Sequence, residues 1–189
     1  AAGLPRDLLA IADDTTAVAE AAIAAGVDKI VLTGHVDSGR AVLAQAAHRP
    51  IPAVMELSGC DAMIVCADAD PVLAAEAAAF GLTFNAGATC IAPRRVLVAP
   101  SRVQAFERAL LARLHRTPAL PVEAAVRQRA HALVAAAVAD GARLLAGGSA
   151  DPDEAAAAGG GMQPTLLTDV TPAMTIAGSD VFAPVLSIM

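Results

Sequence analysis

The sequence predicts an α/β fold in which short apolar strands alternate with alanine-rich helices. Runs of β-branched and other apolar residues recur along the chain, and longer alanine-rich stretches lie between them. Glycine, proline or a polar capping residue marks most of the boundaries. Residues 8–57 alternate strand, helix, strand, helix and strand, a spacing typical of a parallel sheet with right-handed crossovers.

The composition excludes several classes of protein. The chain has 189 residues, of which 56% are hydrophobic and 17% charged, and this length suffices for one large or two small domains. A net charge of −6 and 2% aromatic residues argue against a nucleic-acid partner. No apolar run reaches bilayer length and no secretory signal opens the chain, so we expect no membrane partner.

The first part of the chain predicts three strands and two helices. Thr15 or Thr16 can cap the first helix, and Gly26 ends it. The break Arg49-Pro50 ends the second helix. In chain order, the elements are a buried strand over residues 8–12, a helix through residue 25, a strand over 27–33, a helix over about 37–48 and a strand over 53–57.

The second part predicts a longer alternation of the same kind. Asp68, Asp70 and Pro71 mark the start of a helix, and Ser101 can cap another. The strands are expected over residues 61–66, 95–98, 164–167, 174–176 and 185–188, and the helices over 71–84, 101–114 and 121–141, with a loop over 151–161. The chain starts at Ala1, not at a methionine, and stops at Met189 inside an apparent strand, so we expect both ends to be cut.

Two places in the chain could carry chemistry, and their local pattern leaves the interpretation open. Gly34 and Gly39 lie where a strand turns into a helix, which can hold a phosphate but also joins elements in many proteins that bind none. Cys90 follows an apolar helix, between Gly87 and Pro93. A thiol there is either core filler or a nucleophile on a turn.

The other cysteines leave similar alternatives. Cys66 lies in an apolar strand, so core packing is expected for it. Cys60 is expected to fill a gap in the core, with a Cys60–Cys90 disulfide or a zinc site as the alternatives. Three cysteines without even pairing or metal-ligand spacing fit a reducing compartment, so we expect a cytoplasmic protein with no metal.

Five segments of the chain resemble the motifs of one protein family. Met-Glu-Leu-Ser-Gly-Cys at residues 55–60 looks like the Glu-Leu-Gly-Gly-Lys signature, and Phe-Asn-Ala-Gly-Ala-Thr-Cys at 84–90 looks like Phe-Asn-Ala-Gly-Gln-Thr-Cys. Asp-Val-Phe-Ala-Pro-Val at 180–185 looks like Glu-Ile-Phe-Gly-Pro-Val. Leu-Thr-Gly-His at 32–35 resembles Phe-Thr-Gly-Ser, and Gln-Pro-Thr-Leu at 163–166 resembles Glu-Pro-Thr-Leu. Order and spacing agree, so the chain resembles the NAD(P)-dependent aldehyde dehydrogenases over nearly its whole length.

The resemblance implies a fold and a division into domains. Residues 1–57 would be the C-terminal half of a cofactor-binding domain, the second half of a Rossmann-type parallel sheet. Residues 58–189 would be a truncated, thiol-bearing catalytic α/β domain. The first cofactor strands and an asparagine of the oxyanion hole would then lie before Ala1, and the oligomerisation strands beyond Met189.

The resemblance also implies the chemistry. Cys90 would be the nucleophile that forms a thiohemiacetal and then a thioester, and Glu56 would be the general base that activates water. The cofactor, NAD or NADP, would contact Gly34, His35, Gly39, Leu57, Asp180 and Phe182. The chain departs from the family pattern near these residues: Ser58, Cys60, Ala88, Asp180 and Ala183 stand for a glycine, a lysine, a glutamine, a glutamate and a glycine.

Two other functions remain open from the sequence. The chain could be a non-catalytic remnant or assembly module of the same fold, or a CoA-acylating relative; Glu56 favours water as the acyl acceptor. The expected partners are a small aldehyde substrate and a covering chain. Segments that are absent would leave apolar surface exposed, which predicts a homo-oligomer or a complementing chain.

Overall fold

A computed structural model describes Gly3, residues 5–148 and residues 161–189. Within these residues the chain is α/β, as predicted, and it divides into two units. Unit 1 comprises Ala1–Ser58 and unit 2 comprises Gly59–Met189. No described helix is long and apolar enough to cross a bilayer.

The described residues of unit 1 form two parallel strands and two α-helices. The elements are α1 (Thr16–Ala25), β1 (Ile30–Gly34), α2 (Val36–Ala46) and β2 (Ala53–Leu57). β1 and β2 pair in parallel, from Ile30 opposite Ala53 to Gly34 opposite Leu57. Parallel neighbours need a crossover connection, and α2 provides it. The predicted order of helix, strand, helix and strand over residues 16–57 is therefore confirmed.

The strand predicted over residues 8–12 is wrong. A short 3₁₀ turn covers Arg6–Leu8, and Leu9 and Ile11 are 80% and 93% exposed. A strand persists only where its backbone N–H and C=O groups find a neighbouring strand. Among the described residues of unit 1, the sheet contains β1 and β2 alone. The apolar composition of residues 8–12 predicts a strand, but it does not provide a neighbouring strand with which these residues could pair.

The described residues of unit 2 form a five-stranded sheet in the order β3-β4-β9-β8-β6. β3, β4, β9 and β8 run parallel, and β6 is antiparallel to β8. The elements are β3 (Asp61–Val65), α3 (Pro71–Thr83), β4 (Pro93–Val98), α4 (Val103–Leu114), β5 (Leu120–Pro121), α5 (Ala124–Ala139), β6 (Arg143–Ala146), β7 (Gly161–Met162), β8 (Thr165–Thr168) and β9 (Val185–Ile188). β5 and β7 form a separate antiparallel pair.

The sheet of unit 2 is covered on both faces. Leu166 and Leu186 contribute to one buried cluster, together with α3 and α4. Leu167 and Val185 contribute to a second cluster, together with α5. Because side chains alternate between the two faces of a strand, adjacent residues of β8 and β9 enter different clusters. Because β3, β4 and β9 are parallel neighbours, their first residues lie side by side. We refer to these N-terminal strand ends as the edge of the sheet of unit 2.

Three smaller predictions for unit 2 are wrong. α4 begins at Val103, and no side chain caps it, so Ser101 does not have the predicted role. Residues 174–176 form no strand, because Thr175–Gly178 is a 3₁₀ turn whose Ile176 packs into the core. Cys66 is exposed, since β3 ends at Val65 and the thiol falls in the following turn. Residues 151–160 of the predicted loop lie outside the described residues.

Candidate active site

Cys90 lies on an exposed turn at the edge of the sheet of unit 2. The turn runs from Thr89 to Ala92, and the Ala92 N–H donates to the Thr89 carbonyl oxygen at 3.3 Å. Cys90 and Ile91 occupy its two central positions, and both side chains are exposed. The thiol is therefore not core filler.

The chain reaches this turn through an unusual backbone conformation. Asn85, Ala86 and Gly87 have φ of 50°, 53° and 74° in succession. Asparagine tolerates the left-handed region because its side chain can bond the local backbone, and here Nδ2 donates to the Ala88 carbonyl oxygen at 2.9 Å. We call residues 84–92 the cysteine loop.

Gly87 lies directly against the segment that precedes β9, residues 180–184, which we call the Asp180 segment. A Cβ added at Gly87 would lie 2.7 Å from the carbonyl carbon and oxygen of Ala183. Only glycine allows two backbones to approach this closely. The segment before β3 also reaches the cysteine loop, since a Cβ at Gly59 would lie 3.3 Å from the Cys90 carbonyl oxygen.

Arg94 joins the two segments, and the sequence interpretation missed it. Its side chain is 2% exposed. Nη1 donates to the Ala183 carbonyl oxygen at 3.1 Å, and Nη2 donates to the Thr89 carbonyl oxygen at 3.2 Å. Nη2 also lies 3.6 Å from Oδ1 of Asp180. One buried guanidinium thus contacts both the cysteine loop and the Asp180 segment.

The surroundings of Arg94 are unusual for a charged group. Burial lowers the pKa of its guanidinium, and the Asp180 carboxylate opposes this shift. Phe182 covers the group, with the ring centroid 5.7 Å from Cζ, and has φ of 48°. Asp180 is 13% exposed, and its Oδ1 makes no hydrogen bond to the described residues. Asp180 and Phe182 therefore lie beside the cysteine loop.

Cys60 lies at the same edge of the sheet, half-buried, with its Sγ 3.4 Å from the Ala177 carbonyl oxygen. Its own carbonyl oxygen accepts from Nη2 of Arg95 at 2.8 Å. Burial raises the pKa of the Cys60 thiol, and the charges of Arg95 and Arg94 oppose the rise. All three cysteines are free, so the alternative Cys60–Cys90 disulfide is not formed. Within the described ranges, no group of three His, Cys, Asp or Glu could hold a metal.

The raised pKa of Cys60 predicts a loss of stability at alkaline pH. The folded thiol holds its proton more tightly than the unfolded one, whose pKa is about 8.5. This contribution is complete below the unfolded pKa and is lost as pH rises through the folded pKa. As the pH rises above about 8.5, we expect the free energy of unfolding to fall more steeply in the parent than in Cys60→Ser. Urea denaturation at each pH measures it. Cys66→Ser, which removes an exposed thiol, is the control, and equal slopes for the parent and Cys60→Ser would contradict the assignment.

The other sequence-predicted residues lie in unit 1, where β1 and β2 end side by side. His35 caps α2, and its Nδ1 accepts from the Asp37 N–H at 3.3 Å. Gly39 is buried, and a Cβ there would lie 2.8 Å from both Cδ atoms of Leu57. A side chain at position 39 would therefore require the Leu57 side chain to shift, and glycine lets α2 pack closely against β2 at this point. Glu56, the last but one residue of β2, is exposed.

Gly34 differs from Gly39 in this respect. Among the described atoms, a Cβ at Gly34 would meet only the Cβ of Ser38, at 4.0 Å, so packing does not require glycine there. The turn from Gly34 into α2 carries the partial positive charge of a helix N-terminus. Asp37 adds a carboxylate nearby, and Nη1 of Arg40 lies 3.3 Å from its Oδ1.

Comparison with known proteins gives one family for the whole chain. The model of the aldehyde dehydrogenase family matches residues 1–189. Over 87% of its length, the chain is 37% identical to a 3,6-anhydro-alpha-L-galactose dehydrogenase from Streptomyces coelicolor, of which it covers 36%. It is 36% identical over its full length to a betaine aldehyde dehydrogenase from Cereibacter sphaeroides, of which it covers 41%. The chain thus spans about two fifths of these curated relatives.

Solved structures agree. A betaine aldehyde dehydrogenase from Staphylococcus aureus in complex with NAD+ aligns with a TM-score of 0.80 and 28% identity, over 86% of this chain and 35% of that one. A lactaldehyde dehydrogenase from Escherichia coli aligns with a TM-score of 0.79 and 30% identity, over 86% of this chain and 36% of that one.

Proposed function

This chain belongs to the aldehyde dehydrogenase family, and we propose that Cys90 is the nucleophile of an NAD(P)-dependent dehydrogenase that oxidises an aldehyde to a carboxylate. The observation that carries the proposal is the position of the Cys90 thiol. It is exposed at the centre of a tight turn, and Gly87 of the same cysteine loop is packed backbone to backbone against the Asp180 segment. A nucleophile needs both access and a fixed geometry.

The proposed reaction begins at the sulfur of Cys90. The thiolate attacks the aldehyde carbon, and the carbonyl electron pair moves to oxygen, which gives a thiohemiacetal oxyanion. The backbone N–H of Cys90 is the donor that this chain offers to the oxyanion. Loss of hydride from the same carbon leaves a thioester on Cys90. Water activated by Glu56 then hydrolyses the thioester to a carboxylate and the free thiol.

The residues of the chain fit a dinucleotide cofactor. Gly34 is a glycine that packing does not require, at the start of an eleven-residue helix, and such a turn suits a pyrophosphate. We propose that Gly34 and His35 hold the phosphates, that Gly39 and Leu57 shape this turn, and that Asp180 and Phe182 contact the nicotinamide ribose. NAD or NADP supplies the hydride acceptor when bound.

We propose Glu56 as the general base, and Glu56→Gln tests it. Without the base, one equivalent of NADH should form per Cys90 and the thioester should then accumulate. We expect the steady-state rate to fall by about 10²–10⁴, while the first turnover remains. Stopped-flow absorbance of NADH, with NAD and betaine aldehyde or lactaldehyde as probes, measures both phases.

Glu76→Gln is the matched control for this test, because Glu76 is exposed on α3 and pairs with Arg113. Its rates should equal those of the parent. An unchanged steady-state rate in Glu56→Gln would contradict the assignment of the base. Turnover that requires added CoA would instead support the acylating alternative.

Substrate class, location and assembly complete the proposal. The names of the curated relatives favour a small polar aldehyde as substrate. Three free cysteines fit a cytoplasmic location. We also propose a homo-oligomer or a complementing chain, since Val72, Leu73 and Phe80 of α3 are 60%, 70% and 66% exposed.

A further inference from the structure

The peptide group between Thr89 and Cys90 is held from one side only. Its oxygen accepts two hydrogen bonds, from Nη2 of Arg94 at 3.2 Å and from the Ala92 N–H at 3.3 Å. Its N–H, which belongs to Cys90, donates to no residue that the structure describes. In a trans peptide the C=O and N–H bonds point in opposite directions. Fixing the oxygen towards Arg94 therefore directs the Cys90 N–H away from it.

From this arrangement we propose that Arg94 is a positioning residue for the reaction at Cys90, which orients and polarises the Cys90 N–H as an oxyanion donor. The inference rests on the proposed function of Cys90 as a nucleophile. It assigns a role in that reaction to a residue outside the family motifs identified in the sequence.

Arg94 acts on the Thr89–Cys90 peptide through its charge as well as through the geometry of its hydrogen bond. A hydrogen bond from a charged donor to the carbonyl oxygen draws electron density from the amide, so the N–H on the other side becomes a stronger donor. Arg94 is 2% exposed, so water and salt screen this effect little. The benefit grows as negative charge develops on the substrate oxygen, which is the requirement for catalysis rather than binding.

Arg94 itself has little freedom to move. The Ala183 carbonyl oxygen, Asp180 and the Phe182 ring contact its guanidinium from the Asp180 segment. The backbone directs the side chain there as well. Asp61 faces Pro93 and Ala62 faces Arg95 across the β3–β4 pair, so Arg94 is the additional residue of a bulge. Bulges re-aim side chains in this way beside active sites.

Two reagents separate this role from simple packing. With 4-nitrophenyl acetate, the Cys90 thiolate attacks the ester carbonyl, an oxyanion forms, and its collapse expels 4-nitrophenolate and leaves an acetyl thioester. With iodoacetamide, the thiolate displaces iodide directly and no oxyanion forms. Both reactions proceed without NAD, so they do not depend on the cofactor site. Acylation needs the Cys90 N–H, whereas alkylation needs only an accessible thiolate.

Arg94→Met is expected to lower the rate of Cys90 acylation by about tenfold or more, with alkylation changed less than about twofold. Mass spectrometry of the Cys90 peptide measures both rates across pH. Arg102→Met is the control, because Arg102 also donates to a backbone carbonyl oxygen, that of Ala67, elsewhere in unit 2. If Arg94→Met does not fold, Arg94→Lys is the second variant, because it keeps the charge. It should also slow acylation of Cys90 more than alkylation, but by a smaller factor.

Two outcomes would overturn this inference without affecting the proposed function of Cys90. They are equal losses in the rates of acylation and alkylation, and no loss in either rate. In both cases acylation of Cys90 that is still faster than acylation of exposed Cys66 leaves the proposed nucleophile intact. Acylation at Cys90 no faster than at exposed Cys66 would contradict the proposed function and, with it, this inference.

Discussion

Cys90→Ser is expected to abolish aldehyde-dependent NADH formation, with a loss of at least about 10³-fold. A serine hydroxyl ionises far less readily than a thiol, and no described histidine lies in the cysteine loop or the Asp180 segment to activate it. The substitution exchanges one atom in an exposed side chain, so the fold should remain intact. The loss should therefore appear in kcat, not in stability.

NADH absorbance with NAD and a panel of aldehydes measures this loss, and thermal unfolding verifies the fold. Cys66→Ser is the matched control, since Cys66 is also an exposed thiol of unit 2 but lies beyond the end of β3. Its activity should equal that of the parent. Dehydrogenase activity that survives in Cys90→Ser would refute the nucleophile. A parent protein without activity towards any aldehyde would favour the non-catalytic assembly module.

Local signals in the sequence were sufficient for both ends of α1 and for the start of α3, although not for the start of α4. The Thr15 side chain accepts from the Val18 N–H at the start of α1, and Gly26 ends the helix with φ of 94°. Asp70 accepts from the first N–H groups of α3, directly before Pro71. Caps act within one helical turn, so these residues determine helix boundaries without reference to the rest of the fold.

Strands depend on distant partners, and there the sequence was less informative. Residues 8–12 and 174–176 have strand-like composition, yet the first segment is exposed and the second forms a turn. The order β3-β4-β9-β8-β6 could not be derived from spacing either, since β9 inserts between β4 and β8. Pairing over such separations is set by packing of the whole unit and not by local propensity.

The candidate site was predictable only in part for the same reason. Motif resemblance pointed to Cys90, Asp180 and Phe182, which the fold of unit 2 brings to one edge of the sheet. Arg94 was missed, although the alternation with Val96 and Val98 marked it as facing inwards. The bulge that aims it at Thr89 and Ala183 arises from the register between β3 and β4, which no local pattern encodes.

Gly87→Ala is expected to destabilise the protein by about 3 kcal/mol, which corresponds to a melting temperature lower by about 10 °C. The φ of 74° costs an alanine about 1–2 kcal/mol. The new Cβ would also lie 2.7 Å from the Ala183 backbone, and this overlap forces the two segments apart. Thermal and urea unfolding measure the loss.

Gly178→Ala distinguishes this effect from a general cost of replacing glycine. A Cβ at Gly178 meets no described atom within 4 Å, and its φ lies outside the left-handed range, so the change should stay within about 0.5 kcal/mol. The Ala183 carbonyl oxygen is also an acceptor for Arg94. Displacing it by Gly87→Ala should therefore disturb the hydrogen bond from Arg94 to the Thr89 carbonyl oxygen. Gly87→Ala should then slow acylation of Cys90 even at temperatures where it is fully folded. If Gly87→Ala were as stable and as reactive as Gly178→Ala, backbone contact between the cysteine loop and the Asp180 segment would not be what fixes the nucleophile.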